Sequence, residues 1–177
     1  MQYKNYYQSP LGEIFLTANE TSLTGLWFVG AKYFDETSMQ NYKEKKLPIF
    51  EQTKNWLDLY FEGKEPNFTP PVYQTGSSFK MAVWKILKDI PYGKTVTYSE
   101  IAAIIAKQKG IIKMSAQAIG GAVAHNTISI IIPCHRVIGA NGSLTGYAGG
   151  INRKIKLLEL EKINIEKFLI PTKGTAL

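Results

Sequence analysis

At 177 residues, with 45% apolar and 20% charged residues, the chain is sized for one ordinary domain or two small ones and is too apolar for a disordered segment. No stretch approaches the roughly 20 continuous apolar residues that span a bilayer, and the start MQYKNYYQSP has no apolar signal core, so a cytoplasmic protein without membrane attachment is expected. One cysteine permits no internal disulfide and, with two histidines, leaves too few soft ligands for a structural zinc cluster.

The net charge of +7 is unevenly spread. Residues 1–75 carry 7 Lys/Arg against 9 Asp/Glu, whereas residues 76–177 carry 14 against 5, so the two parts stand at −2 and +9. A cationic half of this kind suits a polyanion, because lysines that contact phosphates release condensed counterions. A solvated lysine surface is the other reading.

In chain order, residues 3–7, 14–18 and 23–28 are short runs rich in aromatic and β-branched residues, separated by Ser9-Pro10-Leu11-Gly12 and Asn19-Glu20-Thr21-Ser22. They predict a three-stranded meander. Residues 31–46 are polar and show no clear period. Pro48 at a helix start, then Ile49-Phe50, Trp56-Leu57 and Tyr60-Phe61 at helical spacing, predict a helix stopped by Gly63. Residues 67–78, with Pro70, Pro71 and Gly76, read as a linker.

Beyond it the period is helical. Phe79, Ala82, Val83, Ile86, Leu87 and Ile90 share one face, with Ser77 or Ser78 as cap and Pro91-Tyr92-Gly93 as stop. Thr97 and Glu100 form a capping box for a helix that runs to about Lys107 and breaks at Gly110. A further helix opens at Ser115 and runs to His125, carrying Gly120 and Gly121, which cost about 1 kcal/mol each relative to Ala. Small residues there allow another backbone to come close, either the preceding helix or a ligand. The helix pair with its basic connection, residues 107–113, has the order of a helix-turn-helix with a long turn. Residues 128–132, all apolar but Ser129, predict a buried strand or extended segment ending at Pro133. Ala140-Asn141-Gly142-Ser143 predicts a hairpin-like turn, and residues 145–150 a snug glycine-rich loop around Tyr147. A last helix is expected from Asn152 to about Glu161, and an unstructured tail from Pro171. The class is therefore α+β, divided into residues 1–75 and 76–177.

Cys134 stands in Pro133-Cys134-His135-Arg136, immediately after the apolar run. Thiolate is the reactive form of cysteine, and a neighbouring His⁺ or Arg lowers a thiol pKa from about 8.5. Such a thiol is a nucleophile. A lone cysteine is also often a small buried apolar side chain. On residues alone, an acyl-transferring cysteine hydrolase and a helix-turn-helix regulator with an incidental thiol remain open.

Residues 79–84, Ile90-Pro91-Tyr92-Gly93, residues 98–102, Ala118-Ile119-Gly120-Gly121-Ala122, Asn126, residues 132–138 and Gly146-Tyr147-Ala148-Gly149-Gly150 together resemble the O6-alkylguanine-DNA alkyltransferases, in the same order around one nucleophile. The likeness covers residues 78–161, and Ser9-Pro10-Leu11-Gly12 with its strands resembles, more loosely, that family's ribonuclease-H-like α/β domain. The resemblance implies a mainly helical DNA-binding domain with a helix-turn-helix-like pair. It also implies suicidal repair of double-stranded DNA: the alkyl group passes from O6 of guanine, or O4 of thymine, to Cys134 after base flipping. His135 would be the base acting through a water, with Glu161 polarising it, and Tyr98 would press on the 3′ phosphate and donate toward guanine N3. Asn126 would fix the turn, and Tyr147, Ala148 and Val137 would line the base pocket. Ala118, Gly121 and Gln117 would face DNA. Arg136 is assigned a structural part.

No cofactor is implied, since the DNA is the alkyl donor, and a monomer suffices. The sequence departs from the family at Gln117, where the aligned position usually carries an arginine that fills the gap left by the flipped base. It departs again at residues 107–114, a longer connection whose lysines could contact phosphates.

Overall fold

The computed structural model describes residues 1–172; residues 173–177 of the tail expected from Pro171 lie outside the described residues. Strands β1 (Tyr3–Ser9), β2 (Gly12–Ala18) and β3 (Leu23–Phe28) form the antiparallel meander, and β4 (Lys43–Glu44) adds beside β1 in parallel, giving the order β3-β2-β1-β4. The first turn pairs Ser9 with Gly12, and Gly12 sits at φ 114, a value that favours glycine. β2 is buried on both faces: Ile14, Leu16 and Ala18 enter the main core, while Phe15 meets Tyr6 edge-on at 5.2 Å and Phe34 at 5.4 Å. The unassigned polar stretch supplies that second cover, with a 3-10 turn at Glu36–Met39.

Helix α1 (Pro48–Phe61) starts on its proline and buries Ile49, Phe50, Thr53, Trp56, Leu57 and Tyr60. The three-and-four spacing of those residues makes one continuous stripe, so the helix lies on the sheet. The expected linker is not a free tether. Leu23 N donates to Pro71 O at 2.8 Å and Tyr73 N to Leu23 O at 2.8 Å, which extends the edge of β3.

The basic part contains α2 (Ser78–Lys88), capped by Ser77, β5 (Val96–Thr97), α3 (Tyr98–Lys109), α4 (Ala116–Ala124), β6 (Val137–Ile138) and α5 (Ile151–Leu160). The capping box closes as predicted: Glu100 N donates to Thr97 Oγ1 and Thr97 N to the Glu100 carboxylate. Gly110 ends α3 at φ 65. Ser115 caps α4 through the amides of Gln117 and Ala118. The turn at Asn141-Gly142 forms, but β6 pairs in parallel with β5 and not with the chain that follows the turn.

One expectation is corrected. Apart from a single bridge between Leu26 and Ile128, residues 128–132 form turns and no strand. Ile131 N donates to Ser129 O and Ile132 N to Ile128 O, and Ile130 takes φ 68. A β-branched residue in that region is a strained outlier. It is held there by the Asn126 side chain, whose amide donates to both Ile128 O and Ile132 O. A run of isoleucines gives no hint of this, because apolar composition reports burial and not backbone path.

The main core joins both parts of the chain, from Ile14 and Tyr60 to Ile132 and Leu157. Backbone bonds from Leu26 N to Thr127 O and from Ser129 N to Leu26 O stitch β3 to the segment before Cys134.

Candidate active site

Cys134 opens a 3-10 turn, Cys134–Arg136, between the Ile128–Ile132 turns and β6. Its thiol is 5% exposed and lies within the core. Asn126 Nδ2 donates to Sγ at 3.2 Å. The same Asn126 accepts from Ile128 N at 3.1 Å and from Gln74 Nε2 at 3.0 Å through Oδ1. One buried amide thus shapes the turn and faces the sulfur.

The next residue, His135, is held by Glu161. Glu161, the C-cap of α5, is 2% exposed and collects five donors. Oε1 accepts from His135 Nε2 at 2.6 Å, Tyr60 OH at 2.7 Å and Arg136 Nη2 at 3.0 Å. Oε2 accepts from Arg136 Nε at 2.8 Å and Gly93 N at 3.1 Å. Since a carboxylate can only accept, His135 carries its proton on Nε2. The other ring nitrogen, Nδ1, is buried and has no hydrogen-bond partner among the described residues. In the neutral tautomer that nitrogen is a free base.

The electrostatics agree with this assignment. Burial by itself would raise the Glu161 carboxyl, but the hydrogen bonds and charges of His135 and Arg136 hold it down at about 2. Burial lowers the His135 pKa against the pull of Glu161, so the imidazole is neutral. The expectation of an activated low-pKa thiol is corrected. Burial pushes Cys134 up, opposed by the Asn126 amide and the Lys154 charge, and the Arg136 guanidinium is spent on Glu161 and on Ile90 O. In the free protein the thiol holds its proton until a base removes it.

Lys154 escaped sequence reasoning. Its Nζ is buried on α5 and donates to Val137 O and, at 2.8 Å, to Thr145 O. Burial brings its pKa to about 7, and Cys134 is the group that opposes the fall. The two charges are coupled, since a thiolate at Cys134 favours the protonated amine. Tyr60 also escaped, being indistinguishable from core at helical spacing. It is fully buried, lies 3.3 Å from His135 Nε2, and comes from the first part of the chain. Tyr60→Phe keeps the ring that stacks on Trp56 and removes only a bond to a charged acceptor. It is expected to cost about 1.5–3 kcal/mol in urea unfolding. A change below measurement error would show that the hydroxyl does not hold Glu161.

The remaining candidates line the approach. Tyr98, at the start of α3, is buried and donates to Thr145 O at 3.2 Å; burial raises its pKa. Tyr147 is buried with its ring edge-on to His135 at 6.4 Å. Ala148 is half-buried, and its carbonyl accepts from Lys32 N at 2.9 Å. Val137 is fully buried in β6, paired with Val96. Gln117, Ala118 and Gly121 are exposed on α4. Tyr98, Gln117, Gly120, Gly121 and Gly146 border one furrow. A Cβ on Gly120 would come no nearer than 3.9 Å to Tyr98, and one on Gly121 would meet nothing within 4 Å. Packing inside the protein therefore does not require these glycines.

Two family models match the chain: "6-O-methylguanine DNA methyltransferase, ribonuclease-like domain" over residues 2–74, and "6-O-methylguanine DNA methyltransferase, DNA binding domain" over residues 78–163. A methylated-DNA–protein-cysteine methyltransferase of Methanosarcina barkeri is 42% identical, covering 92% of this chain and 99% of its own. The Haemophilus influenzae protein of that name is 38% identical over 91% and 87%. Among solved structures, the Mycobacterium tuberculosis O6-methylguanine methyltransferase superposes with a TM-score of 0.79 at 41% identity, covering 92% and 93%. The Mycobacterium tuberculosis OGT in complex with DNA gives 0.77 at 39% identity, covering 93% and 98%.

Proposed function

This chain belongs to the 6-O-methylguanine DNA methyltransferase family, and on that premise we propose that it repairs double-stranded DNA by taking the alkyl group from O6 of guanine, or O4 of thymine, onto Cys134. The observation that carries the reading is a lone buried thiol followed by a neutral histidine, whose protonated Nε2 is fixed on Glu161 and whose Nδ1 is free.

The thiol proton passes through one water to His135 Nδ1. Sγ then attacks the alkyl carbon, the carbon–O6 bond breaks, and its electron pair stays on the guanine. The proton held by His135 balances that charge when the base is neutralised. Glu161 stabilises the imidazolium formed in between, as an orienting carboxylate does in other activated nucleophiles. Tyr98, its proton retained by a raised pKa, donates a hydrogen bond toward guanine N3. Lys154 steadies the thiolate. Because a thioether is not hydrolysed under ordinary conditions, the reaction ends with a spent protein.

The division of labour follows the charge. Residues 76–177 hold the acceptor and the DNA-facing surface; Gln117, Ala118 and Gly121 meet the duplex, and Tyr147, Ala148 and Val137 surround the flipped base. Residues 1–75 brace them through Tyr60, Lys32 and Gln74. The proposal is of a monomer acting in the cytoplasm. Among the described residues no helix is long and apolar enough to cross a membrane.

Incubation with an oligonucleotide carrying O6-methylguanine, followed by peptide mass spectrometry, tests the reading. One methyl on Cys134 per protein molecule is expected, with guanine restored in equal amount. Restored guanine beside an unmodified Cys134 would overturn it.

A further inference from the structure

We propose that the connection between α3 and α4 is a second DNA-contacting element, in which Ile112 packs against the duplex beside the lesion while Lys107, Lys109 and Lys113 hold the flanking phosphates. This rests on the reading of DNA as partner and adds a surface to it.

Ile112 is 105% exposed and Ile111 44%. The segment has a defined path: Gly110 takes the left-handed conformation, Ile111 N donates to Ala106 O at 3.0 Å, Met114 packs against the core, and Ser115 caps α4. An isoleucine held fully in water gains nothing in the free protein, and burial against a partner is where its apolar surface contributes.

Charge selects that partner. Lys107, Lys109 and Lys113 are exposed around the two isoleucines. No Asp or Glu stands in the sequence between Glu100 and Glu159. Lys109 lies over the Phe79 ring at 5.4 Å, which fixes it without neutralising it. An apolar tip ringed by uncompensated cations matches nucleic acid, since isoleucine and leucine side chains wedge against base steps while lysines hold the phosphates.

Position makes the surface continuous with the site. Ile112, Met114, Ser115 and Gln117 border a furrow along α3. Ser99, Ala116 and Gln117 also border the next furrow, which reaches Tyr98 and Gly146. A duplex lying along α4 to present a base to Cys134 therefore passes Ile112. Gln117, on the same path, lacks a charge, so the neighbouring wedge and its lysines supply grip that the glutamine does not.

The test measures binding of the full chain to undamaged duplex by fluorescence anisotropy across a salt series. Ile112→Ser is expected to weaken binding about tenfold with an unchanged salt slope, the effect of losing one buried apolar side chain. Combined Lys107→Gln, Lys109→Gln and Lys113→Gln are expected to reduce the slope of log K against log salt by about 2–3, near 0.9 per phosphate contact. A photo-crosslinking residue at position 112 should capture nucleotides close to the lesion in a modified duplex. Binding within twofold of the parent for Ile112→Ser, an unchanged slope for the lysine variant, or crosslinks confined to protein would each overturn the proposal. Undamaged duplex separates this outcome from the alkyl-acceptor reading, which stands or falls on methylation of Cys134.

Discussion

Glu161→Ala is expected to lower the unfolding free energy by about 3–5 kcal/mol and to slow alkyl transfer by about 10²–10⁴-fold. The first figure follows from what is left behind. Arg136 is buried with two of its three nitrogens on this carboxylate, so removing Glu161 leaves a guanidinium charge in the core with one hydrogen bond, to Ile90 O, and the face of the Tyr92 ring at 5.7 Å. The second follows from the tautomer. Without an acceptor at Nε2, the His135 proton is free to move to Nδ1, and the imidazole that should take the thiol proton presents one of its own. Glu161→Gln keeps the shape and one acceptor but turns an NH₂ toward a cluster of donors, so its losses fall short of the alanine variant's.

Acid gives the same residue a second signature. Glu161 titrates at about 2 in the folded chain and at about 4.3 when unfolded, so on acidification the unfolded chain binds the proton first. Its stabilisation is complete above about pH 5 and drains away as pH falls toward 2. His135, held neutral by burial, acts with the same sign from about pH 6.5 downward. The parent should therefore lose thermal stability progressively below neutrality, and Glu161→Gln should show a shallower fall below about pH 5. Urea unfolding at several pH values with single-turnover kinetics measures both effects. Parent-like stability and rate in Glu161→Ala would remove the residue from the site.

The elements that declare themselves in the sequence are those whose causes are local. Ser77, Thr97 with Glu100, and Ser115 each satisfy amides within their own first turn, and the stripe from Ile49 to Tyr60 repeats at the helical period; all these helices form as read. Cys134 and His135 are likewise visible as adjacent reactive groups. What the sequence hides depends on distant partners. Tyr60 reaches Glu161 across 101 positions, and Gln74 reaches Asn126 across 52, so neither could be told from core or linker. Lys154 looks like one basic residue among several on α5 until its amine is found buried. The thiol pKa is hidden for the same reason: neighbours in sequence point to nearby positive charge, whereas the fold pairs Arg136 with Glu161 and leaves burial to dominate.

Asn126→Ala is expected to cost about 2–4 kcal/mol in stability, from about 1–3 kcal/mol for one buried N–H left unpaired and about 1 kcal/mol for bonds lost by groups that keep another partner. Ile128 N loses its acceptor, Ile132 O keeps only Cys134 N, and Gln74 keeps only Thr127 Oγ1. The turn also loses the clamp that maintains Ile130 at φ 68, and a strained residue persists only while its surroundings over-determine it. Once released, the chain before Pro133 relaxes and takes Cys134 with it. The sulfur loses the Asn126 N–H too, one of the groups that hold its pKa down, so the thiol pKa rises further and alkyl transfer slows. Reaction of Cys134 with a neutral alkylating reagent across pH reads the thiol shift, and single-turnover repair reads the loss of rate. An unchanged thiol profile would mean that Asn126 shapes the turn without acting on sulfur. Asn126→Asp separates the two duties. It keeps the acceptor for Ile128 N and Gln74 but directs an oxygen at two carbonyls and the sulfur, where only a protonated carboxyl can donate. Its folded pKa must then lie above the usual carboxylate value of about 3.9. The variant is most stable relative to the parent below that pH and loses stability as pH rises through the folded pKa. That slope is opposite in sign to the one Glu161 imposes.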